Sequence, residues 1–331
     1  MASEAAASEH RSRAQRGEER SERRADHGVQ CVIALDVGGT SMKAATVDGR
    51  CTILTSHNVP TGRRDGADAV VERILATAAE QRADAEQHGH TVRAAGLVVP
   101  GTVDEARGVA VSAANLDWRD VPFRALLAER LGVPVAFGHD VRAGGLAEGT
   151  LGAARGVPDY LFLAVGTGIA AAVVLDGLPY SGRGYAGEIG HIVVDPDGPL
   201  CGCGARGCLE SIASAAAIAE HYATRTGERV DAATVRERVV AGDPDARAVW
   251  DGAIGALADA LAAYTSLLAP ELVVLGGGLA SAGDTLLVPL AAELDSRLRF
   301  QRRPRLVAAE LGDQAGALGA ALLAWRAVEE A

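Results

Sequence analysis

Thiolates and an imidazole gathered in a glycine-rich loop are metal chemistry. The stretch Gly187–Glu210 places His191, Cys201, Cys203 and Cys208 within eighteen residues, the cysteines reading C-G-C-G-x-x-G-C. Gly202, Gly204 and Gly207 allow a chain to turn around one ion, because glycine tolerates positive φ and leaves room for sulfur. One neutral imidazole and three thiolates complete a tetrahedral Zn²⁺ shell with no position left for water, so the spacing reads as a closed structural site. A disulfide between Cys201 and Cys203 is disfavoured because the two are too close for an unstrained bridge. A nucleic-acid zinc ribbon is disfavoured because Arg206 stands alone among the cysteines. Glu188 lies three residues before His191, and Glu210 two residues after Cys208. A metal that pins the loop pins both carboxylates, which read either as solvated charges or as paired acceptors for the hydroxyls of a sugar or polyol. His191 can ligate through one nitrogen and offer the other to substrate or to a supporting partner.

Phosphate chemistry is suggested by three glycine turns that follow apolar runs: Gly38-Gly39-Thr40, Gly166-Thr167-Gly168 and Gly276-Gly277-Gly278. Each offers backbone N–H groups to phosphate oxygens, and the first two add a threonine hydroxyl. One such turn alone reads equally as a hairpin; three in one chain point to a nucleotide. None matches the Walker or the dinucleotide pattern, so the expected picture is phosphate held between two hairpins. Asp36, just before the first turn, is placed to hold Mg²⁺, which takes one or two carboxylates plus phosphates. Lys43 reads as a phosphate contact or as an exposed strand residue. Asp140 reads as an N-cap or as a general base, since a helix N-terminus favours its ionised form. Phosphoryl transfer to a hydroxyl otherwise needs mainly positioning and charge neutralisation. Asn115 suits a hydroxyl contact, although loop asparagines are commonly turn formers.

The elements that must position these residues alternate between apolar runs and helical spacing, which indicates α/β layers. Strands are expected at 29–37, 40–47, 51–57, 94–99, 134–138, 271–275 and 305–309. Helices are expected at 65–87, 122–131, 140–151, 214–226, 231–241, 244–268, 283–300 and 314–328, with an irregular passage through Asn115 and Trp118. An internal echo stands out: IALDVGGTSMKAATVDG (Ile33–Gly49) aligns without a gap on LFLAVGTGIAAAVVLDG (Leu161–Gly177). Two halves built on one plan are the natural reading. Asp36 aligns with Ala164, so the hairpin itself does not need a carboxylate and Asp36 is assigned to chemistry.

The 331 residues suggest roughly two domains. A net charge of −11 argues against non-specific nucleic-acid binding. No apolar run is long enough for a membrane span, and residues 1–28 are charged throughout, with no apolar core of a secretory signal. That segment reads as a disordered tail, or as sequence ahead of a later start. Cys31 and Cys51 fall in strand-like stretches as small core residues. Thiolate ligands and unpaired thiols suit a reducing cytoplasm.

Taken together, these motifs resemble the ROK family of sugar kinases and sugar-responsive repressors over nearly everything after residue 28. The resemblance rests on DVGGT (Asp36–Thr40), PG (Pro100-Gly101), NLDW (Asn115–Trp118), the Asp140 segment, VGTG (Val165–Gly168), GEIGH (Gly187–His191), CGCGARGCLE (Cys201–Glu210) and LGGG (Leu275–Gly278). It implies an α/β, two-lobed actin/hexokinase-like (ribonuclease H-like) fold with a structural zinc loop, closing over ATP, Mg²⁺ and a hexose. One lobe is expected at 29–137 with the C-terminal helix 314–330, the other at 138–313. By position Asp140 matches the family's base toward the 6-hydroxyl. Gly101, Asn115, His139, Glu188, His191 and Glu210 match sugar contacts; His191, Cys201, Cys203 and Cys208 match zinc ligands; Asp36, Lys43 and the three glycine turns match the nucleotide site.

One departure bears on specificity. The family commonly reads Asn-Asp-Ala-Asn around the base, and here it is His139-Asp140-Val141-Arg142. Arg142 reads as a phosphate contact or as packing on the helix surface. The resemblance implies a glucokinase-type enzyme. It leaves open a kinase for an N-acetylhexosamine, mannose or fructose, and a polyphosphate donor. A non-catalytic sugar sensor is the other reading, but such relatives carry an N-terminal DNA-binding domain where this chain has a charged tail. Relatives are commonly dimers, so a homodimer or higher homo-oligomer is expected.

Overall fold

The computed structural model describes residues 28–330 apart from Ala114, so the expectation for the charged segment 1–27 lies outside the described residues. The strands are β1 (Gln30–Val37), β2 (Ser41–Asp48), β3 (Ile53–Pro60), β4 (Thr91–Val99), β5 (Thr102–Asp104), β6 (Val109–Ala113), β7 (Trp118–Val121), β8 (Val135–His139), β9 (Tyr160–Val165), β10 (Ile169–Leu175), β11 (Leu178–Tyr180), β12 (Leu272–Gly276) and β13 (Arg305–Ala308). The helices are α1 (Ala67–Gln87), α2 (Phe123–Leu131), α3 (Asp140–Leu151), α4 (Glu210–Ala213), α5 (Ala215–Thr226), α6 (Ala232–Val240), α7 (Pro244–Leu268), α8 (Asp284–Arg297) and α9 (Ala315–Glu329).

The internal echo is a duplicated topology. The first sheet runs β3-β2-β1-β4-β8 and the second β11-β10-β9-β12-β13. In each, the first three strands are antiparallel and the last two join in parallel. Leu35 sits opposite Ala44 in one hairpin and Leu163 opposite Ala171 in the other. The central strands β1, β4, β9 and β12 are mostly apolar because both faces are covered. On the second sheet, Leu163 and Val273 pack against Trp250, Leu257 and Leu261 of α7. On the first, Val32, Ala94 and Val98 pack against the alanine face of α9.

Two close approaches set the centre of the molecule. A Cβ on Gly96 of β4 would lie 2.0 Å from the Ala320 carbonyl of α9, and one on Gly319 would lie 2.1 Å from the Ala143 carbonyl of α3. Only glycine lets α9 sit this near both the sheet and α3. The crossing fixes α3, and with it Asp140, between the two sheets: Gly145 of α3 leans on Ala172 of β10.

Some expectations shift. The passage through Asn115 and Trp118 is not wholly irregular but feeds a small antiparallel sheet, β5-β6-β7. Its strands are too short to show a period, and buried Trp118 holds them by an edge contact with Phe123, centroids 5.1 Å apart. Ser214 and Asp231 stand just outside α5 and α6 as caps, accepting the N–H groups of Ala217 and Thr234. Helix α1 starts at Ala67, because Gly62 and Gly66 take positive φ around a 3₁₀ turn at Arg63–Asp65. Helix α8 stops at Arg297, where Leu298 turns extended. No described helix is long and apolar enough to cross a membrane.

Candidate active site and metal loop

Asp140 is the first residue of α3, not its cap. His139 holds the N-cap, and its Nδ1 accepts the Arg142 N–H at 3.4 Å. Oδ1 of Asp140 accepts the Val141 N–H at 2.7 Å, which leaves Oδ2 uncommitted. Burial pushes the Asp140 carboxyl up to about 6, against the opposing pull of the Val141 N–H and the Arg142 charge. Burial, reinforced by Arg142, pushes His139 down to about 4, so its ring is neutral. With Nδ1 accepting, the ring proton is assigned to Nε2.

β8 ends at His139 beside Val99 of β4. Asp140 therefore emerges at the same sheet edge as Pro100-Gly101, where a cleft of about 320 Å³ opens. Its walls join Gly101, His139 and Asp140 from the first sheet to Gly166-Thr167-Gly168 and Gly277 from the second. Glu188, His191 and Glu210 of the cysteine loop complete it. Glu210 Oε2 accepts the Ile169 N–H at 2.8 Å, which docks its carboxylate on the Gly166–Gly168 turn. The Glu188 charge is felt by His139, which it favours in the protonated form.

Gly277 also belongs to a neighbouring groove of about 440 Å³, walled by Gly276, Gly278, Ala309, Gly312 and Asp313. The shared glycine makes the two spaces adjacent. Lys43 is not an exposed strand residue: its side chain is 15 % exposed and its Nζ binds Asp313 Oδ2 at 2.8 Å. Asp36 pairs with Lys43 across the β1–β2 hairpin. A Cβ on Gly316 would lie 2.2 Å from Asp36 Oδ2, so the carboxyl abuts the first turn of α9. Burial, then the Asp140 charge, pushes Asp36 up to about 7, with Lys43 opposing. A buried carboxyl raised further by a neighbouring carboxylate is a donor that a cation would relieve.

Not every expected residue lines the cleft. Gly38, Gly39 and Thr40 form the β1–β2 turn, closed by the Gly38 N–H to the Ser41 carbonyl at 2.9 Å. Exposed Asn115 lies against that turn; its Nδ2 would be 2.9 Å from a Cβ on Gly39. It is therefore not among the cleft residues.

The ligand atoms of His191, Cys201, Cys203 and Cys208 all lie within 4.8 Å of one another. Cys203 and Cys208 sulfurs are 3.7 Å apart, and Cys201 Sγ is 3.7 Å from His191 Nδ1. A disulfide needs about 2.05 Å between sulfurs, so none joins Cys203 to Cys208. A tetrahedron with Zn–S bonds of about 2.3 Å has edges of about 3.8 Å, so the donor set fits zinc. Burial and the neighbouring sulfurs push the Cys208 thiol up to about 12. His191 turns Nδ1 to the sulfurs and also lines the cleft, so the loop links metal site to substrate space.

Arg142 is neither a phosphate contact nor helix-surface packing. It is 3 % exposed, with Nε on Glu105 Oε1 at 3.0 Å and Nη1 on the Ala186 carbonyl at 3.3 Å. Glu105 and Asp313 were not legible in the sequence, since neither belongs to a motif and each meets its partner only through the fold.

The family model described as "ROK family" matches residues 32–327. The chain is 34 % identical to a glucokinase of Thermotoga maritima, across 88 % of this chain and 96 % of that one. It is 30 % identical to a kanosamine kinase of Amycolatopsis mediterranei, across 90 % and 97 %. Among solved structures, a ROK hexokinase from Thermus thermophilus superposes with a TM-score of 0.79 at 37 % identity, across 91 % and 100 %. A ROK glucokinase from Streptomyces griseus, in complex with glucose and AMPPNP, gives 0.78 at 32 % identity, across 89 % and 99 %. The fold is thus the two-lobed actin/hexokinase-like one. The matched span takes in both duplicated sheets, the cleft between them and the cysteine loop, and the chain belongs to the ROK family.

Proposed function

We propose that the protein transfers the γ-phosphoryl group of ATP to the 6-hydroxyl of a hexose, with glucose as the first substrate to test. One observation carries the reading. A carboxyl raised toward neutral pH, Asp140, faces a cleft whose other walls are hydroxyl acceptors on one side and glycine turns on the other. Glucokinases among the relatives and an AMPPNP-bound neighbour support the donor and the acceptor class. The kanosamine kinase relative keeps the identity of the hexose as the open part of the proposal.

Asp140 takes the proton from the attacking hydroxyl. A base poised near the working pH combines availability with proton affinity. Glu188 and Glu210 accept ring hydroxyls, and Glu210 is preorganised by its Ile169 bond. His191 offers its second nitrogen to the same sugar. The neutral His139 donates from Nε2, which distinguishes it from an asparagine that both donates and accepts. Gly166–Gly168 and Gly276–Gly278 bind the phosphates and the rest of the nucleotide. Gly38–Thr40 closes on the phosphates from the other lobe, 29–137 with 314–330. Asp36 is the residue to hold Mg²⁺, which supplies charge neutralisation at the phosphates. The cysteine loop holds zinc as a structural ion.

The test is ADP release from Mg-ATP with zinc-loaded protein across glucose, mannose, fructose, glucosamine, N-acetylglucosamine and N-acetylmannosamine. Release with one sugar well above the sugar-free rate is expected. No sugar-dependent release across the panel overturns the reading.

A further inference from the structure

Behind His139, away from the glycine turns, a second cavity of about 370 Å³ lies between α3, α9 and β11. Phe137, Leu146 and Leu323 make part of it apolar. Its polar residues are Glu105, His139, Arg142 and Arg326. Arg142 is 3 % exposed, and its guanidinium is only partly matched. Nε goes to Glu105 and Nη1 to the Ala186 carbonyl, but buried Nη2 has no hydrogen-bond partner. Arg326 is exposed on α9 and, among the described residues, has no carboxylate within 4.0 Å. Two arginines thus line a cavity with one carboxylate, and that carboxylate is already committed to Nε of Arg142.

We propose that this cavity binds a small organic carboxylate with an apolar body, its oxygens meeting Arg142 and Arg326 and its body lying against the apolar wall. A guanidinium edge left without an acceptor is a preformed site for a carboxylate, which it recognises through paired N–H donors. The apolar wall excludes simple inorganic anions as the best fit.

Occupancy reaches the sugar cleft through Arg142. Its Nη1 holds the carbonyl of Ala186, two residues before Glu188, and its backbone N–H is held by His139. A ligand that completes the guanidinium's bonds pins this segment and tightens sugar binding by preorganisation. This second step rests on the reading of Glu188 as a sugar contact. Linkage then requires the sugar to tighten carboxylate binding by the same factor.

Calorimetric titration of the full-length, zinc-loaded protein tests both steps. The probes are benzoate and hexanoate, with benzyl alcohol and inorganic phosphate as controls, each to about 10 mM. Benzoate or hexanoate is expected to bind at least about tenfold tighter than either control. Arg326→Glu, an exposed change on α9, should weaken the carboxylate about tenfold or more while leaving melting temperature and glucose binding unchanged. Saturating glucose should tighten the carboxylate severalfold. Absence of carboxylate binding to that limit, or binding indifferent to Arg326→Glu, overturns the site. Arg326-dependent binding that ignores a bound sugar overturns the coupling alone. The sugar-free titration reads the site even if no sugar is a substrate, so its failure is separate from failure of the kinase reading.

Discussion

Nδ1 of His139 lies 3.3 Å from Oδ1 of Asp140, yet the two do not form an ion pair. Burial, with Arg142 adding to it, holds the imidazole near 4, so it stays neutral at the pH where the carboxyl ionises. In the proposed reaction, a proton that Asp140 takes from a hydroxyl is therefore not pre-empted by a charged neighbour in its own strand-to-helix junction. Asp140→Asn keeps the shape and the Val141 N–H contact but removes the base. Turnover should fall by about 10²–10⁴-fold, while calorimetry shows glucose affinity within about threefold of wild type. Near-normal turnover would take Asp140 out of the mechanism.

The pH profile follows from the same carboxyl. Asp140 is raised to about 6 by burial, so the working, ionised form is complete above that value and is lost below it. kcat/KM for the sugar should be flat from pH 7 to 8 and fall about tenfold per unit once well below 6. Asp36 is raised to about 7 by burial and by the Asp140 charge, so protons would compete with the proposed Mg²⁺ over a higher range. KM for Mg-ATP should rise as pH drops from 8 to 6, and more Mg²⁺ should reverse the rise. His139 should add no limb of its own. A KM for Mg-ATP that does not change between pH 6 and 8 would remove Asp36 from the metal site.

His139→Asn tests specificity. The change exchanges a buried, neutral ring for a smaller side chain that donates and accepts. The ratio of kcat/KM for glucose over N-acetylmannosamine should rise by about 10–100-fold, the range available to one contact on a hydroxyl. An unchanged ratio would mean that His139 serves only as the cap of α3.

Much of this was legible from local pattern. The duplicated hairpins, the cysteine loop and the strand before Asp140 are contiguous in sequence, so residue type and spacing carry them. What escaped is what the fold assembles from distant segments. Glu105 meets Arg142 across 37 residues, and Lys43 meets Asp313 across 270. No period or motif encodes such pairs. From sequence Arg142 reads as a phosphate contact or as packing on the helix surface, because nothing local shows what covers that side of α3. The close passage of α9 over Ala143 and the loop at Ala186 cover that side. Asn115 is a motif residue that lies against the Gly38–Thr40 turn, outside the cleft lining.

The tie between Lys43 and Asp313 closes the rim of the groove beside Gly276–Gly278. Lys43→Met keeps most of the stem and removes the charge that opposes protonation of Asp36. KM for Mg-ATP should rise by about tenfold, with the sugar KM within about twofold, since Asp313 lines the groove proposed for the nucleotide. Melting temperature should drop only slightly, because the Asp313 side chain is largely exposed and the pair's net worth is about 1 kcal/mol or less. A shift in the sugar KM instead would place Lys43 on the other side of the reaction.

The metal loop gives the sharpest separation between structure and catalysis. Cys208 is raised to about 12 by burial and by its sulfur neighbours, so without a cation it remains a thiol at neutral pH. Loading with zinc requires thiolates, and should release protons in measurable number from metal-free protein. Pure protein should carry about one zinc per chain, as a tetrahedral set of this kind holds a single ion. Cys208→Ser, or a chelator strong enough to strip the ion, frees the loop that carries His191 and aligns Glu188 with Glu210. Sugar affinity should then fall by about tenfold or more before nucleotide affinity changes, because the loop carries Glu188, His191 and Glu210, whereas it reaches the proposed nucleotide site only where Glu210 meets the Gly166–Gly168 turn and shares no residue with the groove at Gly276–Gly278. Metal analysis that finds no zinc in active protein would falsify the structural-zinc reading. Loss of nucleotide binding in step with sugar binding would show instead that the ion holds up the second lobe as a whole.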